Sequence, residues 1–104
     1  MDPAQQPSIR PADRKDVDSI VKFSAAMAWE TEHRRLDEAR LRLGTLSLFN
    51  SPSLGFFLVA EVRDSDRSLV IGQLMITYEW SDWRNGVFWW IQSVYVDPAW
   101  RGEG

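Results

Sequence analysis

The residues best suited to chemistry stand in the last stretch of the chain, Gln92–Gly104, which reads QSVYVDPAWRGEG. A strand-like run enters Asp97-Pro98 and is followed by Arg101, Gly102, Glu103 and Gly104. Glycines let a backbone turn sharply and approach a ligand, so that successive N–H groups converge on it. A helix beginning after such a turn would add the positive end of its dipole, and Arg101 a charge-assisted contact. The ligand this suits is an anion, a phosphate or pyrophosphate. On these four residues alone, an ordinary surface turn is the competing reading.

A loop of this kind needs a strand to deliver it and a scaffold beneath that strand. Residues 1–8 read as a polar tail with two prolines, and SIRPA as a short strand. Asp13 suits a helix N-cap, with Asp16 in the acid-rich first turn. Val17, Ile20, Val21, Ser24, Met27 and Ala28 then follow at helical spacing, so the spacing predicts a first helix ending between Trp29 and His33. A second helix is expected over Leu36–Leu48, with Leu36, Ala39, Leu43 and Leu46 on its buried side. From Phe56 the period changes to 2. FFLVAEV, LVIGQLMITYEW and VFWWIQSVYV read as three strands of an antiparallel meander, joined by RDSDRS and by SDWRNG, whose Asn-Gly pair suits a tight hairpin. The third strand is apolar on both faces, as expected inside a covered sheet. The fold class is therefore α+β: strand, two helices, three-strand meander.

Composition narrows the function. A chain of 104 residues is one domain at most, and its net charge of −3 argues against nucleic acid, which needs a basic face. No run approaches the ~20 apolar residues that span a bilayer, no signal-peptide layout opens the chain, and the expected location is cytoplasmic. Without cysteine there are no disulfides or thiolate sites, and no metal-ligand spacing occurs. Six tryptophans are many for this length, and four fall between Trp80 and Trp90. Trp89 and Trp90 are expected in the core, with Trp80 or Trp83 bordering a cleft.

The order of elements, together with a strand running into VDPAWRGEG, resembles the GNAT superfamily of acyl-CoA-dependent N-acetyltransferases. In that family the loop after the fourth strand reads R/Q-x-x-G-x-G/A and holds the pyrophosphate of coenzyme A; Arg101 falls on its first position and Gly104 on its first glycine. The resemblance covers Ile9 to Gly104, taken as the N-terminal portion of such a domain. The loop's final G/A, the helix after it and the family's last strands have no counterpart, so the resemblance implies a domain cut inside its cofactor loop.

The likeness implies acetyl-CoA as cosubstrate. Backbone groups of Val94, Tyr95 and Val96 would pair with its pantetheine arm, and Arg101, Gly102, Glu103 and Gly104 would face its pyrophosphate. Acyl transfer to an amine needs the amine deprotonated, so a general base is expected. Glu79 is one candidate, Glu30 and Glu32 are alternatives, and a solvated carboxylate is the competing reading for each. The acceptor would be a small-molecule or peptide amine. A strand apolar on both faces with one side unpaired also leads us to expect a homodimer. The rival reading is a non-catalytic half-domain that binds itself or a partner.

Overall fold

The structure, a computed structural model, describes residues 6–64 and 66–102, and of Asp64 only the backbone. Asp13 caps the chain's first turn as expected. Its carboxylate accepts from the Lys15 N–H (2.9 Å) while its own N–H donates to Asp16 (2.8 Å), a reciprocal box around the short 3₁₀ turn Arg14–Asp16. Helix α1, Val17–Glu32, follows directly and buries Val17, Ile20, Val21, Phe23 and Ala28. It stops where His33 turns left-handed (φ 53°), which lets the His33 and Arg34 N–H groups reach the carbonyls of Trp29 and Ala28.

Helix α2 spans Glu38–Asn50, two residues later than the spacing suggests, because Asp37 is its cap: the carboxylate accepts from the N–H groups of Ala39 and Arg40. Its buried side also differs. Thr45 and Leu48 face the core, whereas Leu36, Ala39 and Leu43 are exposed, Leu43 by 66%. A threonine can occupy the buried side because its hydroxyl donates back to the Leu41 carbonyl at 2.9 Å.

Strands β1 (Ser8–Pro11), β2 (Gly55–Asp64), β3 (Arg67–Ser81) and β4 (Gly86–Val96) form one antiparallel sheet in the order β1-β2-β3-β4. The core lies between this sheet and the two helices, around Ile20, Leu48, Phe57 and Val59, with the ring of Phe49 tilted against Phe57 and that of Phe23 against Tyr95. Two bulges interrupt the ladders. Ile71 is extra against β2, and Gln92 is extra against β3. At the start of β2, Gly55 (φ 155°) runs so close to β3 that a Cβ there would strike the Ile76 carbonyl.

Two further sequence expectations need correction. The β3–β4 connection is a four-residue loop, Asp82–Asn85, in which Asn85 takes the left-handed conformation (φ 49°) and Gly86 already belongs to the strand. Trp89 and Trp90 are not core residues: they are 64% and 51% exposed. Among the described residues β4 pairs with β3 alone, and α1 covers only its far end, where Tyr95 packs under Phe23. An apolar strand has the composition of a covered position whether or not something covers it.

One ion cluster ties β1 to the helical layer. Arg10 donates to both oxygens of Asp16 (2.8 and 2.9 Å) and to Glu61 (3.0 Å), with Asp16 only 3% exposed. Removing one member strands a buried charge, so Arg10→Met is expected to lower stability by about 2–3 kcal/mol, somewhat under the usual buried-pair loss because Arg10 and Glu61 are partly solvated. Urea unfolding with a lower midpoint and unchanged slope checks this. Burial pushes the Asp16 carboxyl up, but the hydrogen bonds from Arg10 and the Asp13 N–H outweigh it and hold it below its ordinary value. The stability it contributes is therefore complete above the ordinary aspartate range and is lost as pH falls through the depressed value. The two proteins should converge in stability at acid pH.

Candidate functional site

The site begins where β4 leaves the sheet. The Asp97 N–H donates to the Ile71 carbonyl at 2.7 Å, fastening the strand's end to β3. The Asp97 carboxylate then accepts from the Ala99 N–H at 2.9 Å, and its carbonyl from the Trp100 N–H, so Pro98–Trp100 winds into one 3₁₀ turn. Arg101 returns to extended backbone and Gly102 adopts φ 82°, a conformation suited to glycine. Glu103 and Gly104 lie outside the described residues.

The Arg101 side chain folds back over the strand it has left. Its Nε donates to the Val96 carbonyl (2.8 Å), and its two terminal nitrogens donate to the two oxygens of Glu30 (2.9 and 3.1 Å). The guanidinium also lies 5.0 Å from the centre of the Tyr95 ring. The Tyr95 hydroxyl donates to the same Glu30 carboxylate at 2.6 Å. Arg101 first, and Tyr95 second, hold the Glu30 carboxyl below its ordinary value; burial, and then Glu30, push the Tyr95 phenol up. Beside this cluster an open hollow of about 320 Å³ separates Met27, Glu30 and Thr31 of α1 from the Val94–Val96 end of β4.

Three sequence candidates thus converge: Glu30, the Val94–Val96 strand and Arg101. Glu79 lies elsewhere on β4's partner, opposite Phe88, six residues and roughly 20 Å along the strand from Val94. Its exposed carboxylate accepts from the Trp90 indole N–H at 2.9 Å. Between the two ends sits Gln92, the bulged residue, whose side-chain amide donates to the Thr77 hydroxyl at 2.7 Å. Thr77 and Glu79 are alternate residues of β3, so they share a face, and that face leads to the bulge. Glu32, the last residue of α1, is exposed. Sequence reasoning misses the bulge and the joining of Glu30 to Arg101. A polar Gln92 within an apolar run is the only local sign of the first; the second has none, because its partners are 71 positions apart.

The chain matches no protein-family model and no curated protein. Among solved structures it is similar to a possible acetyltransferase from Clostridium difficile 630, with a TM-score of 0.87 and 45% sequence identity over 96% of this chain and 63% of that one. It is also similar to an integron cassette protein from the mobile metagenome of Cole Harbour Salt Marsh, with a TM-score of 0.79 and 21% identity over 92% of this chain and 60% of that one; this likeness is one of fold. The chain spans a little under two thirds of the length of both proteins. Its architecture is the α+β, GNAT-like arrangement of strand, two helices and antiparallel meander that the sequence led us to expect.

Proposed function

We propose that the chain carries the acyl-CoA-binding side of an N-acetyltransferase that acylates a small-molecule or peptide amine. The observation that carries this reading is the 45% identity, at a TM-score of 0.87, to a possible acetyltransferase. The local geometry fits the group such an enzyme uses. The Val94–Val96 backbone borders an open hollow of about 320 Å³, and β4 ends in a turn whose Gly102 has the left-handed conformation that anion-binding turns favour.

Acetyl-CoA, when bound, supplies an acyl group activated as a thioester. In this reading the roles of this chain's residues are the following. Main-chain groups of Val94, Tyr95 and Val96 bind the pantetheine arm, and Arg101, Gly102, Glu103 and Gly104 are the residues assigned to its pyrophosphate. Main-chain N–H at the Gln92 bulge, where the β3–β4 register shifts, is our choice for the group that polarises a carbonyl oxygen. Glu79 is our first choice for the base that takes the proton from the amine, directly or through water, because its face leads to that bulge. Glu30 is a weaker base, its carboxylate being held by two donors. Glu32 is the remaining alternative.

Titration of the 15N-labelled chain with coenzyme A is expected to shift the amides of Val94–Val96 and Arg101–Gly104 first. Shifts confined to other strands, or none at millimolar ligand, would remove this reading. Where acetyl transfer to an amine is measurable, Glu79→Gln should lower kcat/KM by about 100-fold; an unchanged kcat/KM would return Glu79 to the solvated carboxylates.

A second reading, a non-catalytic half-domain that pairs with itself, is favoured by the exposed apolar side chains of β4.

A further inference from the structure

Arg101 was the residue expected to reach out to a phosphate, yet its fork is closed on Glu30. Nη1 and Nη2 each meet one oxygen of that carboxylate, Nε meets the Val96 carbonyl, and the guanidinium lies over the Tyr95 ring. Glu30 therefore grips the strand's end twice, through Arg101 and through the Tyr95 hydroxyl. Tyr95 in turn is buried against Phe23 of the same helix. The result is a clasp that joins the last full turn of α1 to the place where β4 becomes a loop. The groups that face it are Glu30 from α1, Tyr95 from β4, and Arg101 with the nearby Asp97 from the loop.

We propose that Glu30 is a positioning residue for the cofactor loop, acting through Arg101 and Tyr95 to set the Val94–Val96 edge and the Arg101–Gly102 turn, and that Arg101 serves this clasp rather than binding phosphate as a free charge. The inference rests on the acyl-CoA reading and adds to it a use for α1. Three features of the geometry support it. A two-pronged pairing fixes direction as well as distance, which a single contact would not. The pair neutralises Arg101 where an anion would otherwise meet a full positive charge. The Nε bond to Val96 locks the guanidinium to the strand whose backbone borders the hollow.

The test is calorimetric titration of coenzyme A into the 104-residue chain and into Glu30→Gln, Arg101→Lys and Tyr95→Phe. Gln keeps the size of Glu30 and loses its charge, and Lys keeps the charge of Arg101 and loses its fork. On the clasp, Glu30→Gln and Arg101→Lys each weaken binding at least about tenfold, and Tyr95→Phe weakens it less. If Arg101 were instead a free phosphate ligand held back by Glu30, Glu30→Gln would bind more tightly and Arg101→Lys would bind nearly as well as the parent. Either of those results, or unchanged affinity in Glu30→Gln, overturns the proposal. A parent chain that binds no coenzyme A defeats the acyl-CoA reading, and the clasp is then judged on amide hydrogen exchange without ligand. There Glu30→Gln should raise exchange about tenfold at the Arg101 N–H, which donates to Pro98, and leave the core of α1 unchanged; no difference at Arg101 overturns it.

Discussion

The 104-residue chain should sediment as a dimer at micromolar concentration, and Ile91→Lys should dissociate it into monomers. β4 pairs on one side only among the described residues, which leaves a row of unpaired N–H and C=O groups along its other side. The same strand exposes Val87, Trp89, Trp90, Ile91 and Val94, with Ile91 62% accessible. On the sheet face that includes Val94, a hollow of about 280 Å³ lined by Ile9, Leu58, Leu74 and Val96 adds further apolar surface. At roughly 25 cal/mol per Å², covering ~400 Å² of such surface contributes about 10 kcal/mol before association costs, enough to favour a two-fold pair. A lysine at Ile91 should leave the fold intact, because the side chain already stands in water, and should weaken association about 100-fold or more. A folded parent chain that stays monomeric in sedimentation defeats the expectation.

The largest loss of stability should come from one methyl group. Gly55→Ala is expected to cost about 3–5 kcal/mol, combining backbone strain with overpacking. Its φ of 155° is one that residues with a side chain rarely adopt, and the added Cβ would meet the Ile76 carbonyl and the Thr77 Cα at 2.9 Å. Those atoms belong to a strand paired on both sides, so they cannot give way cheaply. Gly44 is the control, since a Cβ there meets nothing within 4 Å and the helix should gain by about 1 kcal/mol. Thermal unfolding that ranks the two variants the other way would show the close approach to be soft.

What the sequence revealed was what short-range physics decides. Asp13 and Asp16 announce their box because capping involves residues three apart. The alternation from Phe56 onward announces strands because a pleat repeats every two residues. The buried side of α2 was not legible: Leu36, Ala39, Leu43 and Leu46 make as good a stripe as the one that packs, and only the docking against Phe57 and Ile20 chooses Thr45 and Leu48. Trp89 and Trp90 misled for a related reason, since apolar composition says that a surface prefers cover and not that it has it. At the site, Arg101 and Gly102 were visible as a turn. What Arg101 holds was invisible, because its partner is supplied by a helix from the other end of the chain.

The extra residue at Ile71 has a consequence for how such a gene can change. Its carbonyl receives the Asp97 N–H, so the irregularity on one side of β3 is also the peg on which the Pro98–Trp100 turn hangs. Deleting one codon there would straighten the ladder with β2, running Val70 on Glu61 straight into Gly72 on Ala60, and would take away the residue whose carbonyl now holds Asp97. A change of length between Val70 and Gly72 therefore acts on the turn after β4 as well as on the sheet, whereas an exchange of side chains where β3 faces water acts on neither. There an inherited insertion or deletion weighs more than a substitution, because the contact is made by backbone and not by a side chain.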